Sequence, residues 1–204
     1  MDKRIILTDK DFIARGGERD CYSHPLDYDK VIKIVHGNSE IENRNQNTLD
    51  YKYSKFLENL KIPFYHITKC HGYVDTNLGR GLIFDKVSDY NGNISIPFLD
   101  AIIQNKFNDE EEYKLINDLK NYIFKNNIVF VDIGLYNILV CEYEENKYKL
   151  VIVDGLGGRR PGIKFWLYLK SKLFTKYKIR KSWKRFIIEL YKTKKNKIKG
   201  KFIE

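Results

Sequence analysis

A chain of 204 residues with 43% apolar and 14% aromatic residues can bury a core as one compact unit or as two small lobes sharing a cleft, which excludes a disordered chain. Its net charge of +10 is unevenly placed: from Arg159 onward there are 17 Lys and Arg against two Glu, which leaves 20 basic and 25 acidic residues in the first 158, so the basic character belongs to the tail. No run approaches about 18 uncharged apolar residues and the opening MDKRIILTDKDF has acids and no long apolar stretch; neither a membrane span nor a secretory signal is visible, and a cytoplasmic location is expected.

In chain order, residues 5–7 and 12–14 are short apolar pieces leading into Arg15-Gly16-Gly17-Glu18-Arg19. Residues 21–24, a turn at Pro25 to Asp29 and the apolar run 31–35 follow, so the pattern is strand, glycine turn, strand, turn, strand. Lys33 is the only charge in that last run; its ordinary role would be to reach out from an edge strand. Residues 39–60 read as a helix, with Ser39 and Glu42 as a capping box and Leu49, Tyr53, Phe56, Leu57 and Leu60 recurring at three and four. Asp50 lies one residue from that stripe. Strand-like stretches at 64–74 and 81–87 flank a polar turn with Asn77 and Gly79, and 88–92 is turn-rich. A second helix spans 109–126, with Tyr113, Ile116, Leu119, Tyr122 and Ile123 on one face. Cys21, Cys70 and Cys141 are far apart and lack a C-x-x-C pair, which argues against a disulfide framework or zinc site. His66, Cys70 and His71 cluster locally, but strand alternation sends them to different faces.

The stretch 128–158 carries the chemistry. Two short apolar segments, 138–141 and 150–153, are joined by a charged, Asn-containing turn and read as a hairpin. Asp132 and Asn137 precede the first strand in the spacing D-x-x-x-x-N, and Asp154 ends the second, followed by Gly155 and Gly157. A polar hairpin whose acids only cap turns is the plainer interpretation. Transfer of a γ-phosphoryl group, however, needs a hard cation held by carboxylate and amide oxygens, which suits Asp154 and Asn137, and a carboxylate that positions the acceptor hydroxyl and takes its proton, which suits Asp132.

This order of parts resembles the protein-kinase-like phosphotransferases, with DGLG where they carry DFG. The pieces ERDCYSHP, VIKIVHG, KIPFYH, HGYVDTNLGRGLIFDKV, NNIVFVDIGLYNILVCE, LVIVDGLG and SWKRFI resemble the YrbL family of the PhoP regulatory network, a small branch of that superfamily near the lipopolysaccharide sugar kinases. The resemblance implies an α+β, protein-kinase-like two-lobed fold: a small β-rich N-terminal lobe with one helix at 1–88, and a reduced, mainly helical C-terminal lobe at 89–204. It implies ATP and Mg²⁺ as cofactors, a turn at Gly16 and Gly17 over the phosphates, and Lys33 on the α/β-phosphates. Asp50 is then the first choice as the acidic partner of Lys33 and Glu42 the second. Asn137 and Asp154 are the expected metal ligands and Asp132 the catalytic base; Phe84 and Val87 flank the adenine beside the 88–92 hinge.

The chain also departs from protein kinases. Phe130 stands in place of their His, Gly134 in place of a phosphate-contacting Lys, and after Gly158 no long activation segment appears. A small-molecule or glycolipid hydroxyl is therefore the better acceptor than a peptide. The tail, with Trp166, Leu167, Leu169, Leu173 and Phe174, then Trp183, Phe186, Ile187 and Leu190, reads as two amphipathic basic helices. A charge run of this kind is ordinarily a solvated face; the partner it would fit is an anionic membrane surface at the inner face, with nucleic acid disfavoured because no recognised binding motif is present. The alternative to a phosphotransferase is a non-catalytic, pseudokinase-like regulatory protein of the PhoP network.

Overall fold

The computed structural model describes residues 4–36 and 46–199. Strands β1 (Phe12–Arg15), β2 (Arg19–Ser23), β3 (Lys30–Val35), β4 (Cys70–Thr76) and β5 (Gly79–Asp85) form an antiparallel sheet in the order β1-β2-β3-β5-β4. The central place of β3 explains its apolar run, because both of its faces are covered. Ile32 and Ile34 pack outward with Ile5 and Leu7, whereas Val31 packs inward with Cys70, Leu82 and Phe84. Alternation puts Lys33 on the inward face with Val31, so it does not reach out from an edge. Asn77 pins the leading segment over the outer face, accepting from Leu7 N (2.7 Å) and donating to Leu7 O (2.9 Å).

Helix α1 (Gln46–Asn59) buries Leu49, Tyr53 and Leu57. The capping box at Ser39 and Glu42, and Glu42 as a candidate acid, lie outside the described residues. The strand expected over 64–74 begins only at Cys70. The segment before it runs beside a hairpin instead: Ile152 N donates to His66 O (2.8 Å) and Thr68 N to Ile152 O (3.2 Å). His66 Nδ1 meets Leu150 O at 2.7 Å while His71 Nε2 meets Asp85 at 2.6 Å, so the two histidines serve separate partners.

The helical half comprises β6 (Ile96–Pro97), α2 (Phe98–Ile103), α3 (Asp109–Lys125), the hairpin β7 (Ile138–Glu144) and β8 (Lys147–Ile152), α4 (Ile163–Lys170) and α5 (Lys172–Ile198). Asn108 caps α3 by accepting from Glu111 N at 2.9 Å, and Glu111 reaches back to Asn108 N at 3.0 Å. The buried stripe of α3 runs through Leu115, Leu119, Tyr122 and Ile123. Tyr113, assigned to that face by spacing, is 71% exposed because the stripe opens two residues later. In the tail the helix break falls at Ser171, whose side chain caps α5, so α5 is one helix of 27 residues. It buries Ile179, Phe186 and Leu190, while Trp166 and Leu173 turn outward. One core joins the two halves: Tyr53 of α1, Phe98 of α2, Leu119 of α3, Ile138 and Ile152 of the hairpin and Phe186 of α5 belong to a single buried cluster. Burial of each such side chain is worth about 1.5–3 kcal/mol, which fixes the cleft between sheet and helices. Among the described residues no helix is long and apolar enough to cross a membrane.

Candidate functional site

Three segments meet below the sheet: β3 with Lys33, the turn after β8 with Asp154, and the loop before β7 with Asp132 and Asn137. Pairing of Ile138 with Ile152 sets Asn137 beside the end of β8, where Val153 N donates to Asn137 O at 2.9 Å. Asn137 Nδ2 donates to Asp132 O at 3.0 Å, a bond that closes the loop and accounts physically for the D-x-x-x-x-N spacing. The two acidic loops are joined through Gly155, whose carbonyl accepts from Val131 N (2.8 Å) and Asp132 N (3.2 Å). Gly155 has φ +81°, and a Cβ there would lie 2.6 Å from Asp132 Cβ, so glycine alone permits this approach. Lys33 Nζ donates to Val153 O at 2.6 Å and stands 3.5 Å from Asp154 Oδ2, over the ring of Phe84. Lys33, Asp132, Asn137 and Asp154 are thereby brought to one cleft.

Asp50 joins that cleft with a different partner from the one expected. It accepts from Arg19 at 2.6 Å and from Gln46 at 2.7 Å, and Arg19, not Lys33, is its cation. The reason is the shape of the donor. A guanidinium is a flat fork with five N–H donors, so Arg19 spans Asn47 (3.0 Å), Asp50 and both oxygens of Asp154 (2.7 and 2.8 Å) at once. The Lys33 ammonium is already turned toward Val153 O. Spacing alone did not point to Arg19; the signal lies in register, because Cys21 pairs with Lys33 and alternation along β2 puts Arg19 on the same inward face.

Electrostatics reinforce this geometry. Burial alone would raise Asp154, but Lys33 and Arg19 outweigh it and hold the carboxyl far below the usual range. Burial would likewise lower Arg19, yet Asp50 and Asp154 keep it firmly protonated. Asp132 pairs with Arg159 from the loop before α4. Gly16 and Gly17 form the β1–β2 turn next to Arg19, with Gly16 N donating to Arg19 O at 2.8 Å. Neither has a positive φ; a Cβ at Gly16 would press on Arg19 O at 3.0 Å, and one at Gly17 would meet nothing within 4 Å. The 88–92 segment is fastened to β7, since Tyr90 N donates to Glu142 O (2.7 Å) and Asp89 accepts from Glu142 N (2.9 Å). Phe84 is buried near the cleft, and Val87 O is taken by Ser95 N at 3.2 Å.

The Asp154 carboxylate and the Asn137 amide oxygen are donors of the kind Mg²⁺ takes, so the residues fit that ion. Among the described residues no group of three or more His, Cys, Asp or Glu is poised around a metal. Both Asp154 oxygens accept from Arg19, however, so a cation must displace that guanidinium or share the carboxylate with it.

The family model described as PhoP regulatory network protein YrbL matches residues 5–191. The chain belongs to the YrbL family. It is 29% identical over 192 residues to YrbL of Escherichia coli (strain K12), covering 91% of this chain and 87% of that one, and the same figures hold for YrbL of Shigella flexneri. Among solved structures, the crystal structure of Rad53 1-466 in complex with AMP-PNP matches this YrbL-family chain with a TM-score of 0.50 at 16% identity. That match covers 72% of this chain, which spans 40% of the other. At such identity the likeness is one of fold: this is a protein-kinase-like α+β structure, with a five-stranded N-terminal lobe and a mainly helical remainder.

Proposed function

We propose that this YrbL-family chain is a Mg·ATP-dependent phosphotransferase that acts on a sugar or envelope glycolipid hydroxyl on the cytoplasmic side of the membrane. The observation that carries this reading is the meeting of Lys33, Asp132, Asn137 and Asp154 in one cleft. Lys33 would bind the α/β-phosphates beneath the Gly16-Gly17 turn, and Asn137 and Asp154 would hold Mg²⁺, which when bound neutralises charge on the phosphates. Asp132 would orient the acceptor hydroxyl and accept its proton as the oxygen takes the γ-phosphoryl group and ADP leaves. The AMP-PNP in the Rad53 structure supports a nucleotide in the same fold. A path from Gly158 straight into α4 supports a small acceptor, since it leaves little chain for a peptide platform. In this reading residues 1–88 serve as the nucleotide lobe, 89–204 as the catalytic lobe, and the exposed lysines of α5 rest against an anionic membrane surface.

One observation favours a second reading, a regulatory protein that binds nucleotide without turnover: Arg19 takes both oxygens of Asp154. A thermal-shift titration separates the possibilities at the first step. Binding to the native state raises the melting temperature, so ATP should stabilise the chain and Mg²⁺ should enlarge the effect. A melting temperature indifferent to ATP under both conditions would overturn both nucleotide readings. An ATP effect with no added contribution from Mg²⁺ would favour the regulator.

A further inference from the structure

A second cationic wall stands beside the cleft, and phosphoryl transfer as described leaves it unused. No Asp or Glu occurs between Asp154 and Glu189, while that stretch holds Arg159, Lys164, Lys178, Lys181 and Arg185. Along α5, Lys178, Lys181 and Arg185 follow at spacings of three and four, on the flank next to the buried Thr175, Ile179, Ser182 and Phe186. That flank borders the reacting loop, because α5 packs on α4 and on the turn Leu135–Asn137, and Arg159 pairs with Asp132.

The five cations act on one another. Partial burial, then Arg185, Lys181, Lys164 and Arg159, hold the Lys178 ammonium below the ordinary lysine range. Among the described residues no carboxylate pairs with Lys164, Lys178, Lys181 or Arg185. Like charges gathered without counter-ions repel, and a bound anion relieves them. Guanidinium forks and mobile ammonium groups together match the oxygens of a phosphate. A patch that merely coated a surface would run along the outer side of α5; this one includes the half-buried Lys178 and an arginine engaged with Asp132.

We infer that the acceptor carries a phosphate ester of its own, which rests on Lys178, Arg185 and their neighbours while its hydroxyl meets Asp132. The assignment of the hydroxyl rests on the phosphotransferase reading; the anion subsite stands on the cation cluster alone. The full chain is titrated calorimetrically at low ionic strength with glucose 6-phosphate and with glucose, with and without saturating AMP-PNP. The phosphate ester should bind at least roughly tenfold tighter than the neutral sugar, the worth of one charge-assisted hydrogen bond. Lys178→Ala combined with Arg185→Ala should abolish that preference and leave the ATP-induced thermal shift unchanged; the exposed Lys181→Ala alone should weaken it without touching the core. Equal affinities for the two sugars, or a preference that survives the double substitution, would overturn the inference.

The source of the phosphate is read with vesicles of phosphatidylcholine, with and without phosphatidylglycerol. Binding to the anionic vesicles that glucose 6-phosphate competes away and the double substitution abolishes supports the subsite and identifies a lipid headgroup as its source. Vesicle binding that the double substitution abolishes but glucose 6-phosphate does not compete away makes the patch a membrane contact and overturns the inference. A phosphate preference that persists in a chain showing no ATP-induced shift supports the anion subsite while overturning the phosphotransferase reading, so the two failures are distinct.

Discussion

The two walls of the cleft handle charge in opposite ways. On the sheet side the cations at the cleft are matched: Arg19 by Asp50 and Asp154, and Lys33 by Asp154 and Val153 O, with Arg15 paired to Asp20 beside them. On the α5 side, Lys164, Lys178, Lys181 and Arg185 have no such partners among the described residues. A buried charge without a partner costs several kcal/mol, so matched pairs are the condition for burying Arg19 at all, whereas exposed cations can wait for a ligand. The matched wall fixes geometry, whereas the unmatched wall keeps a repulsion that no carboxylate among the described residues relieves. Asp132 stands between them, paired across to Arg159.

The largest expected effect comes from cutting that junction. Asp132→Asn keeps the size of the side chain, leaves Lys33 and Asp154 in place and removes the base. Turnover should fall by about 10²- to 10⁴-fold while the ATP-induced thermal shift persists. Turnover unchanged in this variant would remove Asp132 from the chemistry. A regulator without turnover instead predicts that the substitution alters neither nucleotide binding nor the cellular phenotype.

Arg19→Leu breaks the matched wall. It strands Asp50, whose side chain is 9% exposed, and Asp154, which is 35% exposed and partly screened by water. A loss of about 3 kcal/mol in urea unfolding is expected, the low end for removing one partner of a buried pair. The metal response should move the other way: with both Asp154 oxygens released, Mg²⁺ should enlarge the thermal shift relative to the unaltered chain. A stable variant with an unchanged response to Mg²⁺ would mean that Arg19 neither holds the wall together nor competes for Asp154.

The matched wall also has a pH signature. The Arg15 hydrogen bond and His36, working against partial desolvation, bring Asp20 down to about 2, and Asp154 is lowered too. A carboxyl depressed in the folded state contributes stability that is fully present above its unfolded value, near about 4, and lost as pH falls through the folded value. Melting temperature should therefore hold from neutral pH down to about 5 and drop between about 4 and 2. Arg15→Ala should reduce the drop assigned to Asp20, and an unaltered profile would exclude that pair as its source.

What the sequence disclosed and what it hid divide along the same line. Lys33, Asp132, Asn137 and Asp154 were legible because Lys33 is the only charge inside a short apolar run and the other three flank short apolar segments at fixed spacing, so that local pattern marks them. The β-rich order and the α3 helix were legible for the same reason. Arg19 was not, because its role depends on the pairing of β2 with β3 and on α1 lying beneath both, which are long-range facts. The assignment of Asp50 to Lys33 failed through that omission. Trp166 and Leu173 were counted among the apolar residues of the tail helices by hydrophobicity alone, although α4 and α5 break at Ser171 and both residues lie exposed.

The smallest expected effect tests the unmatched wall from the side of stability. Lys181 is exposed, three residues after Lys178 and four before Arg185. Lys181→Glu puts a carboxylate N-terminal to an arginine at i+4, the favourable orientation on a helix, and replaces repulsion of Lys178 with attraction. Glu and Lys have nearly equal helix propensity, so the backbone term cancels. The gain should be about 0.5 kcal/mol, or about 1–2 °C in melting temperature for a chain of this size. Because the pair is solvated, the gain should shrink at high salt, where the screening length falls to about 3 Å in 1 M. The same change should weaken binding of glucose 6-phosphate, since it sets a negative charge within the cation cluster. A variant that is destabilised, or whose stability does not respond to salt, would mean that these cations do not repel one another as the structure implies.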